Sequence, residues 1–427
     1  MAVPRPARCS SGRIPLRLSS CRLSPWLAAF LTAGLLACAG QEPREGQPVP
    51  ADAAPNGPSD STAATGPSHL RISGTRFVRS DGTTFHWRGI TAFRLLELIA
   101  RDNGEAEAER YLDWAAAQEL TVVRVLGMAR HLFDLAPEAG LAAAPRLLRL
   151  AEARGLHVEF VALADTAERR FDVDAHFARL AEIAASHPNI LVEIANEPTH
   201  ATQAPEVHDP AWLAARARAM PESVPVALGS VERGEGFAAG DYVTWHVPRE
   251  PGAEGWQHVV EVAAGAGFVA RWGKPVVSDE PIGAAGAFQP GRRDDSPARF
   301  RAAALLTRLA GMGATFHYEG GLHARIPEGR ELETFRAWNE AWTLLPDDAE
   351  DRGRFYVAGE GGAAVRGFSD ARALRVFERH DGATASILLV GVRGAPEIQW
   401  SDGWIAGEVR RLDGSWLITA RFQAARP

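Results

Sequence analysis

Short runs of β-branched and apolar residues alternate with helical stretches through the middle of the chain. Eight runs are predicted strands, at positions 89–91, 121–125, 157–162, 190–194, 224–228, 242–245, 275–278 and 314–317. Segments between them, such as 105–118, 143–154, 173–187, 253–271 and 299–312, carry apolar residues at three- and four-residue spacing and are predicted helices. The last is preceded by Ser296 and Pro297, a helix-start signal. Eight successive strand–helix units favour a closed (β/α)8 TIM barrel over a doubly wound open sheet.

The segments flanking these units have the shorter alternation of antiparallel strands. Runs at 70–72, 77–79 and 84–87, the last two joined by a turn at 80–82, predict a small hairpin that plugs the bottom of the barrel. Runs at 364–367, 373–379, 385–392, 403–410 and 416–421, with turns at 381–382 and 413–414, predict a small all-β sandwich. We therefore expect a barrel domain at 69–346 and a C-terminal domain at 347–427, which either packs against the barrel or binds carbohydrate.

The N-terminal segment has the pattern of an export signal. Residues 1–37 combine a basic stretch with an apolar run that is too short to span a bilayer. The run ends Leu35-Leu36-Ala37-Cys38, which resembles the lipobox of bacterial lipoproteins, so Cys38 is the expected site of lipidation. An ordinary signal peptide cleaved near Ala37 is the alternative. Residues 38–68, rich in Pro, Ala, Ser and Gly, are an expected flexible tether, and the absence of Asp after Cys38 favours the outer membrane.

Composition narrows the range of partners. The chain has 427 residues, 46% of them apolar, which is enough for one large core and a smaller second domain. The net charge of −7 disfavours nucleic-acid binding. All three cysteines lie near the N-terminus, so the folded body has no thiolate for a soft metal, and no nucleotide-binding motif occurs. We expect no cofactor and a monomer.

Two glutamates follow predicted strands in a pattern that indicates chemistry. Strand four is followed by Asn196-Glu197-Pro198, and strand seven ends near Glu280. In a (β/α)8 barrel, side chains at the C-terminal strand ends form the active site, so two carboxylates there can face each other across its mouth. Such a pair can cleave a glycosidic bond, one as acid and one as nucleophile. The alternative is that Glu197 is a loop or capping residue.

These residues carry a resemblance to a known family. Over residues 70–345 the chain resembles clan A glycoside hydrolases, which include family 5 cellulases and mannanases, through the Asn-Glu-Pro motif at Glu197 and the second glutamate at Glu280. The resemblance implies a retaining hydrolase of β-linked glycans that forms a covalent glycosyl-enzyme intermediate. Glu197 would be the acid/base, Glu280 the nucleophile, and Asn196 a contact to the sugar 2-hydroxyl. An inactive polysaccharide-binding lipoprotein and a transglycosylase with the same site are the competing interpretations.

Other positions match the family only in part. Arg124 resembles its strand-two arginine, which steadies the nucleophile, and His246 resembles its strand-six histidine; the alternatives are an outward-facing arginine and a structural histidine. Pro248 stands where the family often has a tyrosine. The family's strand-eight tryptophan is also absent, and His317 or Tyr318 could replace it as the sugar platform.

Two smaller expectations complete the site. Asp165, after strand three, either contacts sugar hydroxyls or caps the following helix. His317, Glu319 and His323 have ligand types that zinc accepts, but their spacing matches no strong zinc motif, so no metal is expected.

Overall fold

The computed structural model describes residues 69–231, 234–247, 255–284, 294–346, 348–349, 353–357, 364–369, 375–392 and 394–424. The predicted signal segment, Cys38 and the tether lie outside this part of the chain. The described chain begins with a two-stranded antiparallel hairpin, β1 (Arg71–Ser73) and β2 (Arg76–Val78). A bridge between Val78 and Thr84 extends it across the predicted 80–82 turn, although 84–87 does not form a full strand.

The central sheet has eight parallel strands. They are β3 (Arg88–Thr91), β4 (Val122–Leu126), β5 (His157–Leu163), β6 (Ile190–Ala195), β7 (Val226–Ala227), β8 (Val243–His246), β9 (Val276–Glu280) and β10 (Gly313–Phe316). Their order is β7-β6-β5-β4-β3-β10-β9-β8, and a parallel bridge between Ser230 and Thr244 joins the two ends. The structure is therefore the nearly closed (β/α)8 barrel that the sequence predicts.

Helices cover the outside of the barrel. They are α1 (Leu95–Ala100), α2 (Glu105–Ala117), α3 (Pro137–Glu152), α4 (Val173–Ser186), α5 (Pro210–Ala217), α6 (Trp256–Glu261), α7 (Ala264–Trp272), α8 (Pro297–Leu309) and α9 (Gly329–Leu344). The predicted helix start at Ser296 is confirmed, because its side chain accepts a hydrogen bond from the Arg299 amide. The predicted helix at 253–271 is interrupted between α6 and α7, next to Gly265, where a Cβ would collide with Met312.

Aromatic side chains close the bottom of the barrel. Phe77 of the hairpin lies 5.2 Å from the Trp87 ring and 5.4 Å from the Tyr242 ring, measured between centroids. These rings pack against Val122 and Val277 at the N-terminal ends of their strands. This packing confirms the predicted plug and leaves the opposite end of the barrel for chemistry.

The C-terminal region is all-β. Its strands are β11 (Arg354–Val357), β12 (Val365–Ser369), β13 (Arg375–His380), β14 (Thr384–Val390), β15 (Glu397–Trp400), β16 (Trp404–Leu412) and β17 (Ser415–Phe422). They form a five-stranded antiparallel sheet, β11-β13-β14-β17-β16, and a two-stranded sheet, β12-β15. The predicted turns at 381–382 and 413–414 join β13 to β14 and β16 to β17, whereas β11 and β15 are strands that the sequence pattern does not single out.

One apolar core runs from the barrel into this region. Phe377, Leu388 and Leu417 belong to the same buried cluster as the α8 residues Leu305 and Leu309. In addition, the Arg379 guanidinium donates to the Leu309 carbonyl at the end of α8, at 2.6 Å. The C-terminal sheets thus cover one flank of the barrel.

None of the helices formed by the described residues has the length and apolar character needed to cross a bilayer.

Candidate active site

Six of the sequence-predicted site residues meet at the C-terminal end of the barrel: Arg124, Asn196, Glu197, His246, Glu280 and His317. Each lies within a barrel strand or directly after one. Because parallel strands all end on the same side of the sheet, residues far apart in the chain converge there.

Arg124 lies in the middle of β4 with its side chain in the barrel interior. Its Nη1 donates to Glu280 Oε1 at 2.9 Å, and its Nη2 donates to Glu193 Oε2 at 2.7 Å and to Asn196 Oδ1 at 2.9 Å. The side chain is fully buried. The alternative of an outward-facing arginine is therefore wrong, and the guanidinium holds both Glu280 and Asn196 in place.

Glu197 and Glu280 lie close together, with His246 between them. One carboxylate oxygen of each glutamate and one ring nitrogen of His246 all lie within 4.8 Å of one another. The Nδ1 atom of His246 is 4.0 Å from Glu197 Oε1 and 3.8 Å from Glu280 Oε1. The Glu197 side chain is 33% exposed and that of Glu280 only 6%. Glu197 thus faces the mouth, and Glu280 lies deeper.

The charge on His246 follows from this position. Burial acts to lower the pKa of His246, but the charge of Glu280 and the contact with Glu197 outweigh it and raise the pKa to about 9. The ring is therefore an imidazolium at neutral pH. A positive charge between two carboxylates reduces their mutual repulsion and allows both to occupy one small site.

The backbone of Glu197 is strained. Its φ is +42°, in the left-handed region that β-carbon crowding disfavours by about 1–2 kcal/mol in a residue other than glycine. The Glu197 carbonyl accepts a hydrogen bond from the His200 amide at 2.8 Å, which closes a tight turn directly after β6. This turn presents the carboxylate to the mouth of the barrel.

A β-bulge in β9 brings two consecutive acidic residues into the barrel. Trp245 pairs with Ser278, but the next residue of β8, His246, pairs with Glu280, so Asp279 is an extra residue in the ladder. As a result both Asp279 Oδ2, at 3.8 Å from Arg124 Nε, and Glu280 Oε1 approach the same guanidinium. Without the bulge, strand alternation would send one of them outward.

Three further carboxylates below the two glutamates were missed by the sequence analysis: Glu159, Glu193 and Asp279. All three are completely buried and lie within 4 Å of Arg124. Tyr242 donates to Glu159 at 2.9 Å, and Thr244 donates to Glu193 at 3.0 Å. A signal was available, because Glu159 and Glu193 interrupt strands that are otherwise almost entirely apolar, as Arg124 does.

Four carboxyl groups surround the Arg124 guanidinium, and burying all of them in the ionised form would be energetically unfavourable. They are those of Glu159, Glu193, Asp279 and Glu280. Burial, followed by the charges of Asp279 and Glu193, raises the pKa of Glu159 well above its ordinary range. Burial likewise raises the pKa of Asp279 to about 7, although the charge of Arg124 opposes this rise. Glu159 and Asp279 therefore keep their protons to a higher pH than an exposed carboxyl group does.

The comparisons with known proteins bear on the fold. No protein-family model matches the chain, and no curated protein matches it in sequence. A glycoside hydrolase family 5 structure from Bacteroides vulgatus aligns with a TM-score of 0.57 at 13% identity, over 84% of this chain and 94% of its own. A second structure from that organism, provisionally assigned as a glycoside hydrolase, has a TM-score of 0.56 at 13% identity, over 85% of this chain and 83% of its own. The likeness is one of fold.

Two predicted site residues lie outside the cluster. Tyr318 is buried, and its hydroxyl contacts the Tyr111 hydroxyl at 3.1 Å and the Arg325 carbonyl. Its ring packs against Phe316, at 4.9 Å between centroids. The expectation that Tyr318 offers a platform to a sugar is therefore corrected: strand alternation turns Tyr318 away from the barrel interior and leaves His317 facing it.

The Asp165 carboxylate makes backbone contacts that the sequence did not suggest. It accepts hydrogen bonds from the backbone amides of Arg130 and His131, at 2.9 and 3.0 Å. It makes no side-chain capping hydrogen bond to the following helical turn. Asp165 thus holds the loop after β4 against the loop after β5.

Two groups of described residues bring three possible metal-ligating atoms together: Glu193, His246 and Asp279, and Glu197, His246 and Glu280. The side chains of His317, Glu319 and His323 form no such group within the described chain. In both groups the guanidinium of Arg124 already supplies a cation, through contacts to Glu193 and Glu280. A metal ion would have to compete with that charge, and we assign none.

Proposed function

We propose that this protein is a glycoside hydrolase that cleaves β-linked glycans with retention of anomeric configuration. The observation that carries the proposal is the approach of the Glu197 and Glu280 carboxylate oxygens to within 4.8 Å. Retaining enzymes separate their two carboxyl groups by about 5–5.5 Å, and inverting enzymes by about 6.5–9.5 Å to admit a water molecule. The resemblance of the fold to a glycoside hydrolase family 5 structure also favours this function.

In the first step, a carboxylate oxygen of Glu280 attacks the anomeric carbon. The bond from that carbon to the leaving oxygen breaks, and the leaving oxygen takes the proton of Glu197. The products are a covalent glycosyl ester on Glu280 and a free alcohol. Burial of Glu280 keeps competing water away from the nucleophile.

In the second step, water attacks the anomeric carbon and gives its proton to Glu197. The ester bond to Glu280 breaks, so both glutamates return to their starting states. The partly exposed position of Glu197 suits this exchange, because the leaving alcohol and the incoming water must both reach it.

Arg124, Asn196 and His246 support this chemistry. Arg124 donates to Glu280 and thereby stabilises its charge before attack. It also holds Asn196 Oδ1, which leaves the amide NH₂ available to a sugar hydroxyl. His246 keeps a positive charge beside both carboxylates while the negative charge moves from Glu280 to Glu197.

The test is a screen on aryl β-glycosides and on plant and microbial β-glycans. The variants are Glu197→Gln and Glu280→Gln, with Glu182→Gln on the exposed face of α4 as the matched control. We expect Glu280→Gln to lose activity on all substrates. Glu197→Gln should keep turnover only on aryl glycosides with good leaving groups, and added azide, which needs no general base, should accelerate it.

Product analysis completes the test. Proton NMR of fresh product should show the β-anomer first, and an α-anomer would contradict retention. Products longer than the substrate would indicate transfer to sugar rather than to water. A protein that binds β-glycans without any turnover would instead be the inactive carbohydrate-binding form. Full activity in either glutamate variant would contradict the assignment of Glu197 and Glu280 as the catalytic residues.

We also propose that the protein is exported and anchored by a lipid on Cys38. The support is the sequence alone, namely the apolar run that ends Leu35-Leu36-Ala37-Cys38. Labelling of cells with a radioactive fatty acid should mark the wild-type protein and not Cys38→Ala. Equal labelling of both would contradict the proposal.

A further inference from the structure

His317 holds an unexpected position beside the deeper glutamate. It follows β10 directly, is 2% exposed, and places Nε2 3.5 Å from Glu280 Oε2. Its Nδ1 lies 2.9 Å from the Thr91 hydroxyl. The register of β10 with β3, in which Phe316 pairs with Ile90, brings His317 alongside Thr91, the last residue of β3.

The Glu280 carboxylate determines which ring nitrogen of His317 carries hydrogen, because the Thr91 hydroxyl can either donate to Nδ1 or accept from it. If Nδ1 held the only hydrogen of a neutral ring, the Nε2 lone pair would face the carboxylate oxygen of Glu280, which is repulsive. If the Thr91 hydroxyl donates to Nδ1, the hydrogen lies on Nε2 and points toward Glu280. In the imidazolium form Nε2 also carries hydrogen. The favourable forms of His317 therefore all present a donor to Glu280.

The two carboxylate oxygens of Glu280 contact different neighbouring groups. Oε1 contacts Arg124 Nη1 at 2.9 Å and lies 3.8 Å from His246 Nδ1. Oε2 faces His317 Nε2. The acidic neighbours are Glu197 at the mouth and Asp279 in the same strand. Contacts on both oxygens limit rotation of the carboxylate plane, whereas a contact on Oε1 alone leaves that rotation open.

We propose that Thr91 and His317 form a positioning pair that holds Oε2 of Glu280 and fixes the orientation from which the carboxylate attacks. The inference rests on the proposed function, since it concerns the nucleophile of that reaction. Neither residue transfers a proton to substrate or bonds to it. Their effect is on alignment, which controls the rate of attack strongly because small displacements of a reacting atom are costly.

The experiment compares Thr91→Val, Thr91→Ser, His317→Phe and the wild type. Thr307→Val is the matched control, because it removes a buried hydroxyl that bonds the Ala303 carbonyl within α8. The main readout is the rate at which an activated 2-deoxy-2-fluoro-glycoside forms the covalent ester on Glu280. We expect Thr91→Val and His317→Phe to slow this step about 10- to 100-fold. Thr91→Ser should restore most of the rate, and KM should change less than kcat.

A second readout separates alignment from general loosening of the fold. Loss of a donor to Glu280 should move the acidic limb of the kcat/KM profile to higher pH in Thr91→Val and His317→Phe, and not in Thr307→Val. Wild-type trapping rates and an unshifted acidic limb in a folded Thr91→Val protein would overturn the inference.

NMR of the imidazole nitrogens decides the point independently of turnover. We expect hydrogen on Nε2 of His317 in the wild type, and a changed distribution in Thr91→Val. Hydrogen on Nδ1 alone in the wild type would contradict the pair. If the wild type hydrolyses none of the substrates, the proposed function fails, and the NMR result still decides whether Thr91 orients His317 toward Glu280.

Discussion

Replacing Asp279 with Asn tests the claim that this buried carboxyl group keeps its proton up to about neutral pH. Asp279 is completely buried, accepts from Thr315 Oγ1 at 3.2 Å, and lies 3.8 Å from Arg124 Nε. Asparagine has nearly the same shape, can still accept from Thr315 through its amide oxygen, and resembles the neutral form of the acid. The substitution therefore removes a titratable charge with little change in packing.

The magnitude follows from the change in pKa. Burial raises the pKa of Asp279 from its ordinary 3.8 to about 7, a shift of about 3 units, or about 4 kcal/mol at about 1.4 kcal/mol per unit. Between these values the unfolded chain has lost the proton and the folded protein keeps it. The folded state then binds more protons, so the free energy of unfolding falls as the pH rises from about 4 to about 7. Between about pH 4 and pH 7, the free energy of unfolding of Asp279→Asn should fall by about 4 kcal/mol less than that of the wild type.

Urea unfolding followed by tryptophan fluorescence at several pH values measures the effect. Asp102→Asn, at an exposed position between α1 and α2, is the control and should keep the wild-type pH dependence. At about pH 8 we expect Asp279→Asn to be more stable than the wild type. If the two proteins lose stability in parallel between about pH 4 and pH 8, to within about 1 kcal/mol, Asp279 does not hold a proton in the folded state and the reasoning is refuted.

Three further predictions follow from the same contacts. Arg124→Met should cost about 3–5 kcal/mol in urea unfolding because it leaves buried carboxylates without their cation, and wild-type stability would contradict this. His246, with its pKa raised to about 9, should stabilise the fold below about pH 6.5 and lose that effect by about pH 9. His246→Gln should therefore flatten the stability profile in that range by about 3 kcal/mol, and an unchanged slope would count against the imidazolium. Gly283→Ala should lower Tm, because φ is +120° and a Cβ would collide with the carbonyl of His317, whereas Gly267→Ala in α7 faces open space and should not.

The barrel could be predicted because its strands are short, apolar and separated by helical segments. Each of the eight predicted strands lies within two residues of the observed one at either end. The interruption between α6 and α7 could not be predicted, since apolar spacing continues through it. Neither could the close approach of Gly265, near the start of α7, to Met312, which leaves no room for a Cβ. That contact joins residues far apart in the chain, which local patterns do not register.

The site was predictable where a motif or strand end carried it, and not where tertiary packing did. Glu197 and Glu280 follow from their places after strands. Asp279 was missed because strand alternation places it opposite Glu280, and only the β-bulge turns both inward. Alternation requires that adjacent residues such as His317 and Tyr318 face opposite sides of the strand, so only one of them could face the barrel interior, and the structure identifies it as His317.

The shared core around α8 has a consequence for how this molecule can be divided. Helix α8 is buried on almost every side, with the barrel beneath it and side chains such as Phe377 and Leu388 above it. Removal of the C-terminal sheets, by proteolysis or by truncation of the gene, would expose the apolar surface of α8 to water. It would also remove the hydrogen bond that Arg379 donates to the Leu309 carbonyl. The barrel and the C-terminal sheets should accordingly unfold in a single thermal transition. A barrel without these sheets would need other residues to bury the apolar surface of α8.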